Sequence, residues 1–354
     1  MGFNNKRTEF LSVQALRALA AVLVMCFHFR EYLNHSFSGV GDLLFLNGDI
    51  GVDLFFLISG FIIYYITQND NNGVESARVF FIKRFCRVFP TYCVITLLVA
   101  GSSIDSWIET AKSLVFIPLY TSQPAPWFGQ AKLFVGWTLN YEFIFYTLFT
   151  LCMLFRKNKV VIFSSFIIAA VFIPALIHEK AISAYNNYGY PTYLSTITNS
   201  LMLEFLIGIF TAYLVINKRI SYSKKTSLVI IAASFILFVL VIISHSSRLG
   251  GIGYIISSFM LLFSLTNHES MYSISIPKPI IFTGKISFSL YLVHFRANSL
   301  IRKAVKFHSY TPSYMGIVLF SCIVGLSFLL AVISYHLLEK KLSSKVKSYL
   351  LKNN

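Results

Sequence analysis

Residues 10–29 read FLSVQALRALAAVLVMCFHF, an apolar stretch in which Arg17 is the only charged side chain. A helix of about 20 residues is about 30 Å long, which matches the hydrocarbon thickness of a bilayer. Similar stretches recur along the 354 residues, of which 56% are hydrophobic and 12% charged. A soluble domain carries about 25% charged residues. The composition therefore excludes a soluble enzyme and a disordered protein, and it predicts a polytopic membrane protein.

Charge and cysteine content exclude further classes of protein. A net charge of +16 would suggest nucleic-acid binding in a soluble chain. In a membrane protein, basic residues instead collect in the loops that stay in the cytoplasm. The five cysteines are scattered, without a CxxC pair or a metal-ligand spacing. We therefore expect membrane lipids as partners, and no nucleic acid, no metal and no bound cofactor.

The apolar pattern predicts an all-α integral membrane fold, a bundle of about ten transmembrane helices. We find no internal repeat of the kind that would favour an inverted-repeat transporter. The predicted spans are 10–29, 50–67, 88–101, 136–155, 160–178, 197–216, 227–244, 250–266, 284–301 and 314–338.

The distribution of Lys and Arg predicts that both termini are cytoplasmic, because most of these cations fall in alternate loops. Arg302, Lys303 and Lys306 form a basic cluster on the predicted outer side, against this trend. Residues 1–340 are predicted to be the transmembrane domain, and residues 341–354 a short basic cytoplasmic tail. The cations assigned to the cytoplasm include Lys6, Arg7, Arg78, Arg156 and Arg219.

Ionisable residues inside the predicted spans are the first candidates for function, because a charge in hydrocarbon is costly. Arg17 and His28 are eleven positions apart, so on a helix they share one face, about 16 Å apart along the axis. A non-functional interpretation of both residues stays open. Arg17 would then extend its side chain to the membrane surface, and His28 would simply lie at the membrane interface. Asp53 enters the second span at the level of His28. It either orients that imidazole or caps the helix.

A basic group stands before the third span. Lys83, Arg84 and Arg87 lie at the predicted cytoplasmic mouth, and an i, i+3 pair of arginines shares one helix face. Such a pair suits bidentate phosphate binding. The alternative is ordinary anchoring of the cytoplasmic side.

The fourth and ninth spans add further polar candidates. Glu142 is placed about two turns into the membrane, where it serves either as a general acid or base or as a counter-ion of Arg17 or Arg296. Ser59 and Gly60 are typical of close helix packing. We expect a polar cavity through the bundle, lined by Ser59, Trp137, Tyr146, Tyr291, His294 and Arg296.

Together these segments resemble the acyltransferase-3 family of integral-membrane sugar acyltransferases. The motifs follow the family's order from about residue 8 to 340. Lys340-Lys341 follows Glu339 where the family often has a proline. We recognise no extra-cytoplasmic esterase-like domain, and so expect a stand-alone member. The matches are Arg17-x10-His28, Gly51-Val52-Asp53-x-Phe55-Phe56-x-x-Ser59-Gly60, Arg84-x-x-Arg87-x-x-Pro90, Trp137-x-Leu139-x-x-Glu142-x-x-x-Tyr146 and Ser289-x-Tyr291-Leu292-x-His294.

The resemblance implies a membrane-bound O-acetyltransferase of the bacterial inner membrane, acting on O-antigen (a lipopolysaccharide modification), exopolysaccharide or a lipid-linked precursor. The donor implied is acetyl-CoA. By the same resemblance, Arg17 and His28 form the catalytic pair, and Arg84 and Arg87 belong to the donor end. We expect His28, oriented by Asp53 or Glu142, to take the proton of the sugar hydroxyl. The alternative is a membrane carrier or flippase for a lipid-linked sugar or small anion.

Overall fold

The computed structural model describes residues 9–119, 124–128, 130–218, 220–244, 247–305 and 312–352, and within these ranges its regular structure is helical throughout. Short 3₁₀ segments cover Phe134–Gly136 and Met153–Asn158, and π-helical segments cover Leu214–Lys218 and Tyr335–Leu342. The α-helices are α1 Leu11–Ser36, α2 Val40–Phe45, α3 Ile50–Thr67, α4 Val74–Leu97, α5 Ile104–Leu114, α6 Trp137–Cys152, α7 Lys159–Ile177, α8 Thr192–Ile197, α9 Leu201–Tyr213, α10 Lys224–Ser244, α11 Ile252–Met271, α12 Lys278–Ala304, α13 Tyr314–Ser334 and α14 Ser343–Lys352.

Each predicted span coincides with one long helix, which confirms an all-α, multi-pass membrane protein. Within the described ranges, six helical segments are long and apolar enough to cross a membrane. The number of ten spans and the side of the termini stay predictions. Lys6, Arg7, Arg219 and Lys306, which entered the orientation argument, lie outside the described residues. The six segments are Leu11–Ser36, Val40–Thr67, Phe134–Ile177, Leu201–Lys218, Lys224–Ser244 and Tyr314–Lys352.

Two helices begin earlier than hydropathy predicts. α4 starts at Val74 and not at residue 88, and α12 starts at Lys278 and not at 284. The early part of α4 carries several charged side chains, which lower the hydropathy without opposing helix formation, since Glu, Lys and Arg are good helix formers. α12 begins with Lys278 and Pro279, and proline is well accommodated in the first turn of a helix. Arg84 and Arg87 therefore lie inside a continuous helix.

Helix α1 lies at the centre of the bundle, in contact with α2, α3, α11, α12 and α13. Close approach of its neighbours depends on glycine. A Cβ on Gly51 of α3 would lie 2.4 Å from the backbone oxygen of Ala20, and one on Gly284 of α12 would lie 2.1 Å from that of Gln14. Small residues at such crossings let helix backbones touch in a membrane. Helices α3 and α12 are thereby pressed against α1, which brings their polar side chains together.

The predicted packing role of Gly60 is confirmed at the crossing of α3 and α9. A Cβ on Gly60 would lie 2.0 Å from the backbone oxygen of Phe205, and one on Gly208 would lie 2.0 Å from that of Leu57. The two glycines therefore form a reciprocal contact. Gly60 packs on α9 while the neighbouring Ser59 faces another side of α3.

The chain beyond residue 340, predicted to be a short basic tail, is helical and packs against the bundle. The π-helical segment Tyr335–Leu342 leads directly into α14, which contacts α4. Ser343 is buried at this junction. The C-terminal segment is therefore part of the folded bundle beside the start of α4.

Candidate active site

A polar cavity of about 70 Å³ lies between five helices. Arg17 reaches it from α1, Ser59 from α3, Glu142 from α6 and Tyr291 from α12. Three of the six side chains predicted to line a polar cavity, Ser59, Tyr146 and Tyr291, line this one. Its lining is Arg17, Val52, Phe55, Phe56, Ile58, Ser59, Ile62, Arg84, Arg87, Val88, Thr138, Leu139, Glu142, Tyr146, Phe288 and Tyr291.

The Arg17 guanidinium is only 7% exposed although it carries a fixed charge. Among the described residues no carboxylate lies within ion-pair distance of it. Glu142 and Glu339 supply the nearest opposite charges, and Arg87 supplies a like charge. Arg17 does not reach the surface, so the snorkelling interpretation is wrong. It stands in the cavity as a cation without a tight protein partner.

The carboxylate of Glu142 accepts hydrogen bonds from two hydroxyl groups, one on α3 and one on its own helix, α6. Ser59 Oγ donates to its Oε1 at 3.2 Å, and the Tyr146 hydroxyl donates to the same oxygen. The guanidinium of Arg84 lies 5.8 Å from the ring centre of Tyr146. Arg17 and Arg84 both interact electrostatically with Glu142. Glu142 is therefore a candidate counter-ion of Arg17 and Arg84. None of its described contacts is with Arg296.

His28 lies outside the lining of this cavity. Its ring stacks on that of His294, with centres 5.3 Å apart and planes at 25°, and its centre is 4.5 Å from that of Phe295. His294 is fully buried, and its ring centre is 5.9 Å from that of Tyr291, which does line the cavity. Tyr291 and His294 therefore separate His28 from the cavity. His28 remains half-buried.

The carboxylate of Asp53 faces away from His28, contrary to the expectation that it orients the imidazole. Its Oδ1 accepts the backbone N–H of Gly250 at 2.8 Å, and the carboxyl groups of Asp53 and Glu204 of α9 interact electrostatically. Positions 53 and 59 are six residues apart, about 240° around a helix. With Ser59 facing the cavity, Asp53 must face elsewhere. The capping interpretation is also wrong, since Asp49 holds the N-cap position of α3.

A second cavity of about 360 Å³ adjoins the first, and Arg84 and Arg87 line both. Its other wall is the C-terminal segment. Glu339 is tied there to α12, where Ser289 donates its backbone N–H at 3.0 Å and its Oγ at 2.5 Å to Glu339 Oε1. The lining is Lys83, Arg84, Cys86, Arg87, Tyr335, Glu339, Lys340, Ser343, Ser344 and Lys347.

The two cavities bring together most of the residues that the sequence singled out: Arg17, Ser59, Lys83, Arg84, Arg87, Glu142, Tyr146 and Tyr291. His28 and His294 form the next layer. Trp137 is buried against Tyr141, with ring centres 6.0 Å apart, and does not line the cavity. Arg296 is likewise absent from the lining. Among the described residues, no group of three His, Cys, Asp or Glu side chains is arranged to hold a metal.

Sequence reasoning missed the second wall of the basic cavity. The sequence analysis assigns Lys340 to the end of the transmembrane domain and Lys347 to the basic tail, although their spacing of seven is typical of residues on one helix face. Thr138 was also missed, and its hydroxyl lies 2.8 Å from that of Tyr291. No local signal in the sequence marks Thr138, because its role depends on the packing of α6 against α12.

Comparisons with known proteins show the family of this chain. The pattern of a family described as an acyltransferase domain matches residues 10–336. O-acetyltransferase OatA of Staphylococcus aureus is 26% identical over 360 residues, which cover 94% of this chain and 57% of that protein. Exopolysaccharide production protein ExoZ of Rhizobium meliloti is 28% identical over 190 residues, covering 52% of this chain and 54% of that protein.

The chain spans a little over half the length of these curated relatives. No solved structure matches it at a significant level. The family match nevertheless extends over nearly the whole chain, from α1 to the π-helical segment. It includes the helices that contribute Arg17, Arg84, Glu142 and Tyr291 to the cavities. The chain belongs to the acyltransferase-3 family.

Proposed function

We propose that this protein transfers an acetyl group from acetyl-CoA to a hydroxyl of a cell-surface polysaccharide or its lipid-linked precursor, in the bacterial cytoplasmic membrane. The names of the relatives OatA and ExoZ support O-acetylation and a role in polysaccharide production. The observation that carries the proposal is the pair of joined cavities, one wide and basic, the other narrow and containing a buried Arg.

The sizes of the cavities suit the two ends of the donor. The narrow cavity, at about 70 Å³, has room for about five to seven water-sized groups, at roughly 10–15 Å³ each. An acetyl thioester end, with a methyl, a carbonyl carbon and oxygen, a sulfur and a methylene, is of that size. The wide cavity, at about 360 Å³, suits the phosphate-bearing part of CoA. Short acyl groups are therefore favoured over long chains.

The fixed charges suit the chemistry of acyl transfer. Arg84 and Arg87, on the boundary of both cavities, would hold phosphate groups. Arg17, buried and without an ion-pair partner in the described chain, would donate hydrogen bonds to polar groups of the donor arm and so hold it in the narrow cavity. Glu142 would keep Arg17 and Arg84 in place through the hydrogen bonds that fix its own carboxylate.

The transfer step assigns a proton to His28. The acceptor oxygen attacks the thioester carbon while its proton passes to His28. The carbon–sulfur bond then breaks, and the leaving CoA sulfur takes that proton back from His28 as free thiol. His28 lies beyond Tyr291 and His294 from the cavity. For transfer, the thioester must therefore move from the narrow cavity past Tyr291 to reach His28. The sugar would approach from the half-exposed side of His28.

The direct test uses the purified protein in detergent with acetyl-CoA labelled in the acetyl group. We expect the label to move to a polysaccharide acceptor, or slowly to water when the acceptor is omitted, with release of free CoA thiol. A carrier or flippase would leave acetyl-CoA intact. Failure to release thiol in the presence of acceptor extracts from several bacterial envelopes would overturn the proposed activity.

A further inference from the structure

We propose that Lys340 and Lys347 bind phosphate groups of the donor nucleotide and so form the second wall of a two-sided polyphosphate site opposite Arg84 and Arg87. This inference rests on the proposed function for the identity of the nucleotide. It assigns donor binding to the segment from Tyr335 to the end of α14.

The first support is geometric. Lys340 and Lys347 line the same cavity as Lys83, Arg84 and Arg87, which approach it from α4. The cavity volume of about 360 Å³ leaves space between the two walls for a bound group. Cations on both sides of a phosphate chain bind it better than cations on one side, because each oxygen can then find a donor.

The second support is the balance of charge. Five cations line this cavity, and Glu339 is its single acidic side chain. Glu339 Oε1 already accepts two hydrogen bonds from Ser289. In the described part of the chain, none of the five cations has a carboxylate within ion-pair distance. Gathered like charges repel one another, so a bound polyanion would stabilise this arrangement.

The third support is that the C-terminal segment is held in place. Its two hydrogen bonds from Ser289 tie Glu339 to α12, and Ser343 is buried where α14 begins. Glu339 and Ser343 therefore fix the chain on both sides of Lys340 in sequence, and the packing of α14 on α4 fixes the helix that carries Lys347. A free tail would have to be ordered on binding, at a cost in conformational entropy.

The matched control is present in the same segment. Lys341 and Lys345 are exposed, carry the same charge and do not line the cavity. The double variant Lys340→Gln/Lys347→Gln and the double variant Lys341→Gln/Lys345→Gln therefore remove equal charge from one region. The two double variants differ in one respect: only Lys340 and Lys347 line the cavity.

The experiment measures calorimetric binding of CoA, dephospho-CoA and pantetheine to the purified full chain in an uncharged detergent. We expect Lys340→Gln/Lys347→Gln to weaken CoA binding about tenfold or more, because each variant side chain loses a charge-assisted hydrogen bond to phosphate. Pantetheine binding should not change. The control pair should bind CoA within about twofold of wild type, because its amines do not line the cavity and so would make no direct hydrogen bond to a phosphate bound there.

The outcomes separate the two proposals. If wild type binds CoA and the two double variants weaken it equally, the two-sided site is wrong and the proposed function stands. If wild type binds no CoA, the proposed function fails and this inference fails with it. Phospholipid headgroups carry the same phosphate chemistry, so a second arm adds phosphatidylglycerol bicelles. Loss of lipid binding in Lys340→Gln/Lys347→Gln with unchanged CoA affinity would assign these lysines to lipid and overturn the inference.

Discussion

Ser59 Oγ donates a hydrogen bond to Glu142 Oε1 at 3.2 Å and so links α3 to α6 across the narrow cavity. The Tyr146 hydroxyl donates to the same carboxylate oxygen. These contacts leave Glu142 facing the electrostatic field of Arg17 and Arg84. Under the proposed function, Glu142 therefore positions the cations of the cavity, and the expectation that it orients His28 is not supported by its contacts.

Glu142→Gln is expected to fold, to bind acetyl-CoA and to lose most of its turnover. The amide keeps the size and the hydrogen bonds of the side chain but removes the charge that faces Arg17 and Arg84. Turnover, acetyl-CoA affinity and melting temperature are measured together. Glu179→Gln, an exposed change outside both cavities, is the control.

A purely structural role for Glu142 gives a different pattern. Removing the partner of a buried cation costs about 3–5 kcal/mol of folding free energy. A large fall in melting temperature, with near-normal turnover in the fraction that stays folded, would contradict the positioning role in the active site.

His28→Ala is expected to lose about 10²–10⁴ in turnover, the usual contribution of a general base, with little change in stability. Its ring is only half-buried, and the described contacts are ring contacts with His294 and phenylalanines. Initial rates with saturating acetyl-CoA are the measurement. His178→Ala, which changes an exposed histidine after α7, is the control. If the rate of His28→Ala stays within a few fold of wild type, His28 is not the general base.

Replacing Arg84 and Arg87 together by Lys is expected to weaken acetyl-CoA binding while the orientation in the membrane stays the same. Lysine keeps the positive charge but lacks the planar fork that binds phosphate with two parallel hydrogen bonds. Affinity is measured by calorimetry and orientation by labelling of introduced cysteines. Arg78→Lys on the same helix lies outside both cavities and should bind normally. If the double variant binds the donor with unchanged affinity, both arginines serve only to anchor the cytoplasmic side of the protein.

Gly60→Val is expected to lower the melting temperature substantially. A Cβ at this position would meet the Phe205 backbone oxygen at 2.0 Å, and overpacking of this kind costs about 1–3 kcal/mol or more. Gly325→Val in α13 is the matched control, because no heavy atom lies within 4 Å of a Cβ built there. Equal melting temperatures for the two variants would show that the α3–α9 crossing relaxes freely.

The sequence by itself determined the class of the protein and the identity of most site residues. Apolar stretches long enough to cross a bilayer predict helices because a lipid-exposed backbone must satisfy its hydrogen bonds within one segment. The residues predicted inside them, Arg17 and Glu142 above all, were found from the cost of placing charge in hydrocarbon. Both arguments use only local composition and spacing.

Only the tertiary structure decided which of these residues meet. Asp53 and Ser59 lie in one motif, yet the rotation of α3 directs one to Glu204 and Gly250 and the other to Glu142. The same holds for Lys347, whose place at the basic cavity depends on α14 packing against α4. Helix rotation and contacts between distant segments are set by side-chain packing over the whole bundle. Spacing within one segment therefore predicts which residues share a face but leaves open what that face meets.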